Sequence, residues 1–201
     1  MIRQFILRSL ALLGVSVVAI VAWAYVAFPE AVREYRLYLL EDRPSANFRF
    51  EELSEQWTES DLKLHFSLLR FDCYTNAEGR YLDDRSCFAD ISAYNASPAM
   101  TASFFFSQGK LNRAAVIIPS WGHQAHMKNL REVYGKPTAW QRKGAADVPL
   151  YGWDLGNSGA VFYNRKRPTN PLNSNGIFWS SARACSKEAC FQNLPGSYQS
   201  Y

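Results

Sequence analysis

No phosphate-binding loop, dinucleotide-binding glycine fingerprint or G-x-S-x-G nucleophile elbow occurs in this sequence. Their absence removes the sequence grounds for a nucleotide-dependent enzyme or an α/β-hydrolase. No cysteine precedes Cys73, which excludes a lipoprotein signal. Histidine is limited to His65, His123 and His126. Carboxylate pairs such as Glu51-Glu52 and Asp83-Asp84 lie in polar stretches, which gives paired-acid catalysis little footing. Charge is missing entirely from Ser9 to Phe28, and this absence is the most informative.

That run, SLALLGVSVVAIVAWAYVAF, would span about 30 Å as a helix, the thickness of a bilayer's hydrocarbon core. Arg3 and Arg8 precede it, so the positive-inside rule predicts a cytoplasmic N-terminus over 1–8 and a transmembrane helix over 9–28. Everything beyond Phe28 would then be exported, and the predicted address is the periplasmic side of a bacterial inner membrane. Trp23 and Tyr25 near the outer end suit the headgroup region. The competing reading is a cleavable signal, since Ala22-Trp23-Ala24 has the small-x-small form of a cleavage site. Export follows on either reading.

Four cysteines in an exported chain predict two disulfides, and the short separations favour Cys73 with Cys87 and Cys185 with Cys190. Zinc is the rival, but none of the four has a two-residue knuckle spacing. Residues 29–47 read as a juxtamembrane helix continuing the anchor, then a polar linker. The exported part is large enough for one compact domain or two small ones.

Within it, Thr58 and Asp61 resemble a capping box for a helix from Glu59 to about Ser67, although Leu62, Leu64, Phe66 and Leu68 also alternate like a strand. Strands are predicted at Leu69–Tyr74, Cys87–Tyr94, Met100–Ser107 and Asn112–Ile118, with a turn at Gln108-Gly109-Lys110. The clearest helix runs from a cap at Ser120, buries a stripe including Trp121, Leu130 and Val133, and stops at Gly135. Four more strands follow, at Thr138–Arg142, Val148–Asp154, Ala160–Arg165 and Gly176–Ser181. A helix followed by aromatic-rich antiparallel strands thus occurs twice, over 48–119 and 120–184, ahead of a C-terminal tail at 185–201. The expected class is α+β, one continuous antiparallel sheet assembled from a tandem pair.

The helix exit Tyr134-Gly135-Lys136-Pro137, with the strands YGWDL and GAVFYNR, resembles the BamE/SmpA-like module, and the doubled form with local disulfides is similar to β-lactamase-inhibitor proteins. The likeness covers roughly residues 50–181. The glycine common before the first helix of such modules is replaced here by Gln56-Trp57. Members are mostly non-catalytic binding, inhibitory or assembly proteins, so the resemblance implies a binding role.

Five basic residues against the single Glu188 beyond Gly156 account for the whole net charge of +4. Such asymmetry permits a basic patch facing acidic lipid, glycan or protein, or is an ordinary solvated surface. Tyr151, Trp153, Tyr163, Arg165 and Trp179 alternate along the last strands, and Lys166 and Arg167 open a long loop to Asn175. Tyr, Trp and Arg are the usual binding hot spots, so these seven are the candidate contact residues; the alternative places the rings in the core under the second helix. His123 and His126, three apart, could in principle ligate a metal, with Asp147 and Asp154 as distant helpers. Ser120 lies close to His123 but is more simply a cap. The expectation is a non-catalytic, membrane-anchored binding protein, an inhibitor, immunity-type or assembly factor, with no cofactor, no metal and no nucleic-acid partner. Its partner would be another envelope protein. The alternatives are an accessory subunit held by its transmembrane helix, or an envelope hydrolase or metalloenzyme built on His123 and His126.

Overall fold

The computed structural model describes residues 2–75, 83–142, 148–188 and 190, and the chain divides into two compact units, Met1–Glu41 and Asp42–Tyr201. The first unit is helical, with α1 (Ile2–Ala27) followed by α2 (Pro29–Leu40). Proline at the first position of α2 has no N–H to give to the preceding turn, so one helix stops and another begins at Phe28. The helical segments on either side meet at 112° and do not form one continuous rod. Among the described residues no single helix is long and apolar enough to cross a membrane. Leu12–Ala27 and Pro29–Leu40 pass that test only as a bent pair, by length and composition.

The second unit opens with β1 (Ser45–Ala46) and the core residues Phe48 and Phe50, and then turns into α3 (Glu59–His65). The capping box is present: Thr58 Oγ1 accepts from Asp61 N, and Thr58 N donates to the Asp61 carboxylate. It decides the helix-or-strand ambiguity in favour of a helix of two turns, with Leu62 turned inward while Leu64 and Leu68 stay exposed. Next come β2 (Asp72–Thr75), β3 (Arg85–Asp90), β4 (Ala93–Tyr94), β5 (Ser97–Pro98), β6 (Thr101–Ser107) and β7 (Lys110–Ile118). Ala93-Tyr94 does not extend β3 as predicted. It pairs in parallel with β1 and antiparallel with β5 in a separate three-stranded sheet. The second series is α4 (His123–Tyr134), β8 (Thr138–Arg142), β9 (Val148–Asp154), β10 (Ala160–Asn164), β11 (Asn175–Ser180) and α5 (Ala182–Glu188). Helix α5 occupies part of what the sequence suggested was a tail. The rest of that tail, 191–201, most of the 76–84 loop, and Asp147 lie outside the described residues.

Eight strands form one antiparallel sheet in the order β2-β3-β6-β7-β11-β10-β9-β8. Each series runs from an edge to the centre, where the last strands of the two series pair over Asn175↔Ile118 to Ser180↔Arg113. The chain is therefore α+β, with a single sheet continuous across both series. Gln108 and Gly109, at φ 56° and 71°, make the tight turn that joins β6 to β7, as the glycine suggested. Cys73 and Cys87 face each other directly in the β2–β3 ladder and are bonded, and Cys185 is bonded to Cys190.

The main core lies on one face of this sheet. Leu62 of α3 and Leu130 of α4 pack there with Phe48, Phe104, Phe106, Val116, Ile177 and Trp179. A much smaller apolar cluster on the opposite face groups Leu150, Ala160 and Phe162 with the Cys185–Cys190 pair. The sheet is thus covered thickly on one side and thinly on the other.

Candidate functional site

Cross-strand register decides where the predicted contact residues go. Trp153, Val161, Trp179 and Ala114 stand in one row across four strands, all on the core face. Trp153 (3% exposed), Tyr163 (0%) and Trp179 (1%) are buried, so a contact role for these three is corrected to a core role. Their polar atoms are satisfied internally. Trp153 Nε1 donates to Gly135 O at 3.0 Å, and Trp179 Nε1 donates to Ser158 O at 2.8 Å. Tyr151 and Arg165, nearer the edge of the same face, are only partly buried, while Lys166 and Arg167 are exposed.

Tyr151 and Arg165 line a cleft of about 440 Å³ together with His123, Gln124, Met127, Lys128, Arg131 and Glu132 of α4. These α4 positions recur at three- and four-residue intervals, which puts them on one flank of the helix. The Tyr151 ring draws in two guanidinium groups, with Arg131 Cζ 5.5 Å and Arg165 Cζ 5.7 Å from its centroid. Lys128 and Glu132 pair along the helix at 3.7 Å. Of the seven predicted residues, then, two meet in a shared cavity. The α4 cations Lys128 and Arg131 stand outside that set because the periodic signal of the helix marks its buried stripe and not its flank.

His123 forms the inner wall of the cleft and belongs to a buried polar network. Asn175 Oδ1 accepts from Gly176 N at 2.8 Å and from Asn164 Nδ2, which leaves Asn175 Nδ2 to donate to His123 Nδ1 at 2.8 Å. Neutral His123 therefore carries its proton on Nε2. Tyr163 stacks on this ring at 5.0 Å, and its hydroxyl lies 3.0 Å from the His123 carbonyl. His126 is engaged elsewhere: its Nε2 donates to Pro98 O at 2.8 Å, and its ring stacks on Tyr94. The two histidines are thus committed to separate partners and not to a common ion.

Ser120 does not cap α4. It begins a 3-10 turn, Gly122 precedes the helix, and Ser120 Oγ donates to Pro171 O at 2.9 Å, which fastens the 166–174 connection. Trp121 (48% exposed) and Val133 (43%) lie outside the buried stripe, and His126 and Leu130 fill it. Among the described residues, one trio of potential metal donors is close enough to converge, Glu59 with Cys73 and Cys87. Its two sulfurs are joined in the disulfide and are not thiolates.

The sheet's other face carries aromatics of the opposite parity. Phe88, Ser103, Ala115 and Phe178 form one cross-strand row, and Tyr74, Ser86, Phe105 and Arg113 form the next. Phe178 is 40% exposed and Tyr74 58%, with Phe88 and Phe105 partly exposed between strands. Phe88 sits 6.3 Å from Tyr74 and 6.1 Å from Phe105. The Phe178 ring lies over Gly176, where an added Cβ would come within 2.5 Å of it. Tyr74, Phe88 and Phe105 of the first series are therefore separated from Phe178 of the second by the short, buried side chains of Ser103 and Ala115. The sequence displayed the alternation but not which parity faces the helices.

Burial lowers the proton affinity of both interior histidines, helped at His123 by Arg167 and at His126 by His123. The folded chain then binds fewer protons than the unfolded chain below the ordinary histidine value of 6.5, so stability falls as pH drops through that region. Glu59, held at about 2 by hydrogen bonds from Arg85 and then Lys63, adds a loss at lower pH, below its ordinary 4.5. Melting temperature is expected to decline from pH 7 to 5, more shallowly in His126→Gln. A flat profile over that interval would show that neither histidine resists protonation.

Neither protein-family models, curated proteins nor solved structures match this chain.

Proposed function

We propose that this chain is a non-catalytic, membrane-anchored binding protein of the bacterial envelope, with its N-terminus in the cytoplasm and its sheet domain in the periplasm. The observation that carries the reading is the exposed aromatic row on the thinly covered sheet face. Phe178 and Tyr74 leave apolar surface in water that folding alone gives no reason to expose. Phe88 and Phe178 stand three strand spacings apart, about 14 Å, with Phe105 projecting from the strand between and Ser103 and Ala115 already buried, so a partner would rest on the aromatic side chains. The occupant would be another envelope protein that presents an apolar segment.

The anchor rests on the uncharged run Ser9–Phe28, nearly all of it within α1, and on side chains that are apolar all round the helix. Leu12, Leu13, Val15, Val18, Ile20 and Val26 are between 64% and 83% exposed. A helix without a polar face is suited to a membrane or a protein interior and not to water. Arg3 and Arg8 supply the orientation. The local disulfides agree with an oxidising compartment.

The test is site-directed photocrosslinking of the full chain in its native membranes. A crosslinker at Phe178 or Phe105 should yield the same discrete adduct, which one at Leu64 on the opposite face should not. Tyr74→Ala should reduce the adduct. A reporter fused after Tyr201 should be active only on the periplasmic side. Cytoplasmic activity would reject the address, and equal adducts from Leu64 would reject the surface.

A further inference from the structure

We propose that the cleft between α4 and strands β9 and β10, lined by His123, Lys128, Arg131, Tyr151 and Arg165, binds the phosphate group of a small anionic ligand. This inference is independent of the docking face, which lies on the other side of the sheet.

Three cations border one cavity. Arg131 and Arg165 are both within 6 Å of the Tyr151 centroid, so both charges are held at the wall of one cleft by an aromatic support. Like charges brought together repel unless an anion lies between them. The only carboxylate in the lining, Glu132, is engaged with Lys128. Among the described residues neither Arg131 nor Arg165 has a carboxylate partner. Arg167 adds positive potential, since it is close enough to His123 to disfavour the charged imidazole. His123 of the lining is a donor as well: with Nδ1 taken by Asn175, the proton of the neutral ring is on Nε2.

Guanidinium groups bind carboxylates and phosphates alike, but this set favours the phosphate. With Lys128 and Glu132 offsetting one another, the two guanidiniums still exceed the charge of a single carboxylate, and a phosphate dianion matches them and offers several terminal oxygens to donors that approach from different sides. The volume of about 440 Å³ leaves space beside the phosphate for an organic body, which would lie against Met127. Such a phosphate could come from a soluble phosphate ester or from a phospholipid headgroup.

The test is calorimetric titration of the full chain in nonionic detergent, without divalent cations. The probes are sodium pyrophosphate, citrate, and dihexanoyl phosphatidylglycerol below its micellar concentration. Pyrophosphate should bind saturably. Affinity should fall about tenfold or more in Arg131→Gln and in Arg165→Gln, the loss of one charge-assisted hydrogen bond, and should not change in Arg70→Gln, a surface cation outside the lining. Arginine-dependent binding of the short-chain lipid assigns a headgroup, and binding of pyrophosphate without the lipid assigns a soluble ester. The absence of saturable binding to either phosphate probe overturns the proposal. So does tighter binding of citrate than of pyrophosphate, or an equal loss in Arg70→Gln. Circular-dichroism melting of the two arginine variants should match the parent, which separates a binding loss from unfolding.

Discussion

Gly159→Ala is expected to lower the melting temperature by on the order of 10 °C or more, or to prevent accumulation of folded protein. Gly159 has φ +93° and closes the β9–β10 connection, donating its N–H to Gly156 O and accepting from Leu155 N. A Cβ there would stand 2.0 Å from Ser180 O, 2.8 Å from Ser181 C and 2.9 Å from Ala182 N. All three obstacles are backbone, at the junction of β11 and α5, so no side chain can turn aside to make room. The left-handed backbone costs an L-residue about 1–3 kcal/mol, and overpacking adds roughly 1–3 kcal/mol more. Gly109→Ala is the control. It also has positive φ, at +71°, but nothing lies within 4 Å of its added Cβ. That variant should show only the smaller backbone cost, and equal losses from the two substitutions would mean that the Ser180 contact contributes nothing.

Local chemistry was legible in the sequence, and long-range commitments were not. Thr58 and Asp61 define a helix start from four consecutive residues, and the structure forms that box with the same two side chains. Strands β8 and β9 have the predicted limits because alternation and the flanking turn residues are local signals. Face assignment is different. In β10, Val161, Phe162 and Tyr163 are all buried, so both parities are apolar there and periodicity alone cannot name the core side. The Trp153 row was distinguished from the Phe178 row only by which side α3 and α4 pack against. His123 shows the same limit. Its principal partner, Asn175, is 52 residues away and was read as the end of a loop, so a structural imidazole looked like half of a metal pair. The basic cleft needed both kinds of information. Arg165 was visible in a charge run, but Arg131 and Lys128 join it only once α4 lies beside β9 and β10.

Trp153→Ala and Phe178→Ala should have opposite consequences, although both remove a large aromatic from the same sheet. Trp153 is 3% exposed, packs in the main core and loses its Nε1 hydrogen bond to Gly135 O on truncation. Its replacement leaves a cavity in the main core, at a cost of about 3–5 kcal/mol. Melting of the full chain in detergent should therefore shift by roughly 10 °C or more. Phe178 is 40% exposed on the opposite face, and its ring lies over Gly176. Removing it should cost about 1–2 kcal/mol of folding, the share of a full Phe burial that a ring left 40% exposed retains. Its effect should appear in association: a central aromatic anchor is worth about 2 kcal/mol or more of binding, a loss of roughly thirtyfold in affinity. The expected pair of results is an unstable Trp153→Ala chain, and a Phe178→Ala chain that melts within a few degrees of the parent and no longer crosslinks its partner. A Phe178→Ala chain that melts as early as Trp153→Ala would show that this ring is held by packing. The aromatic row would then be a second core and not a surface for another protein.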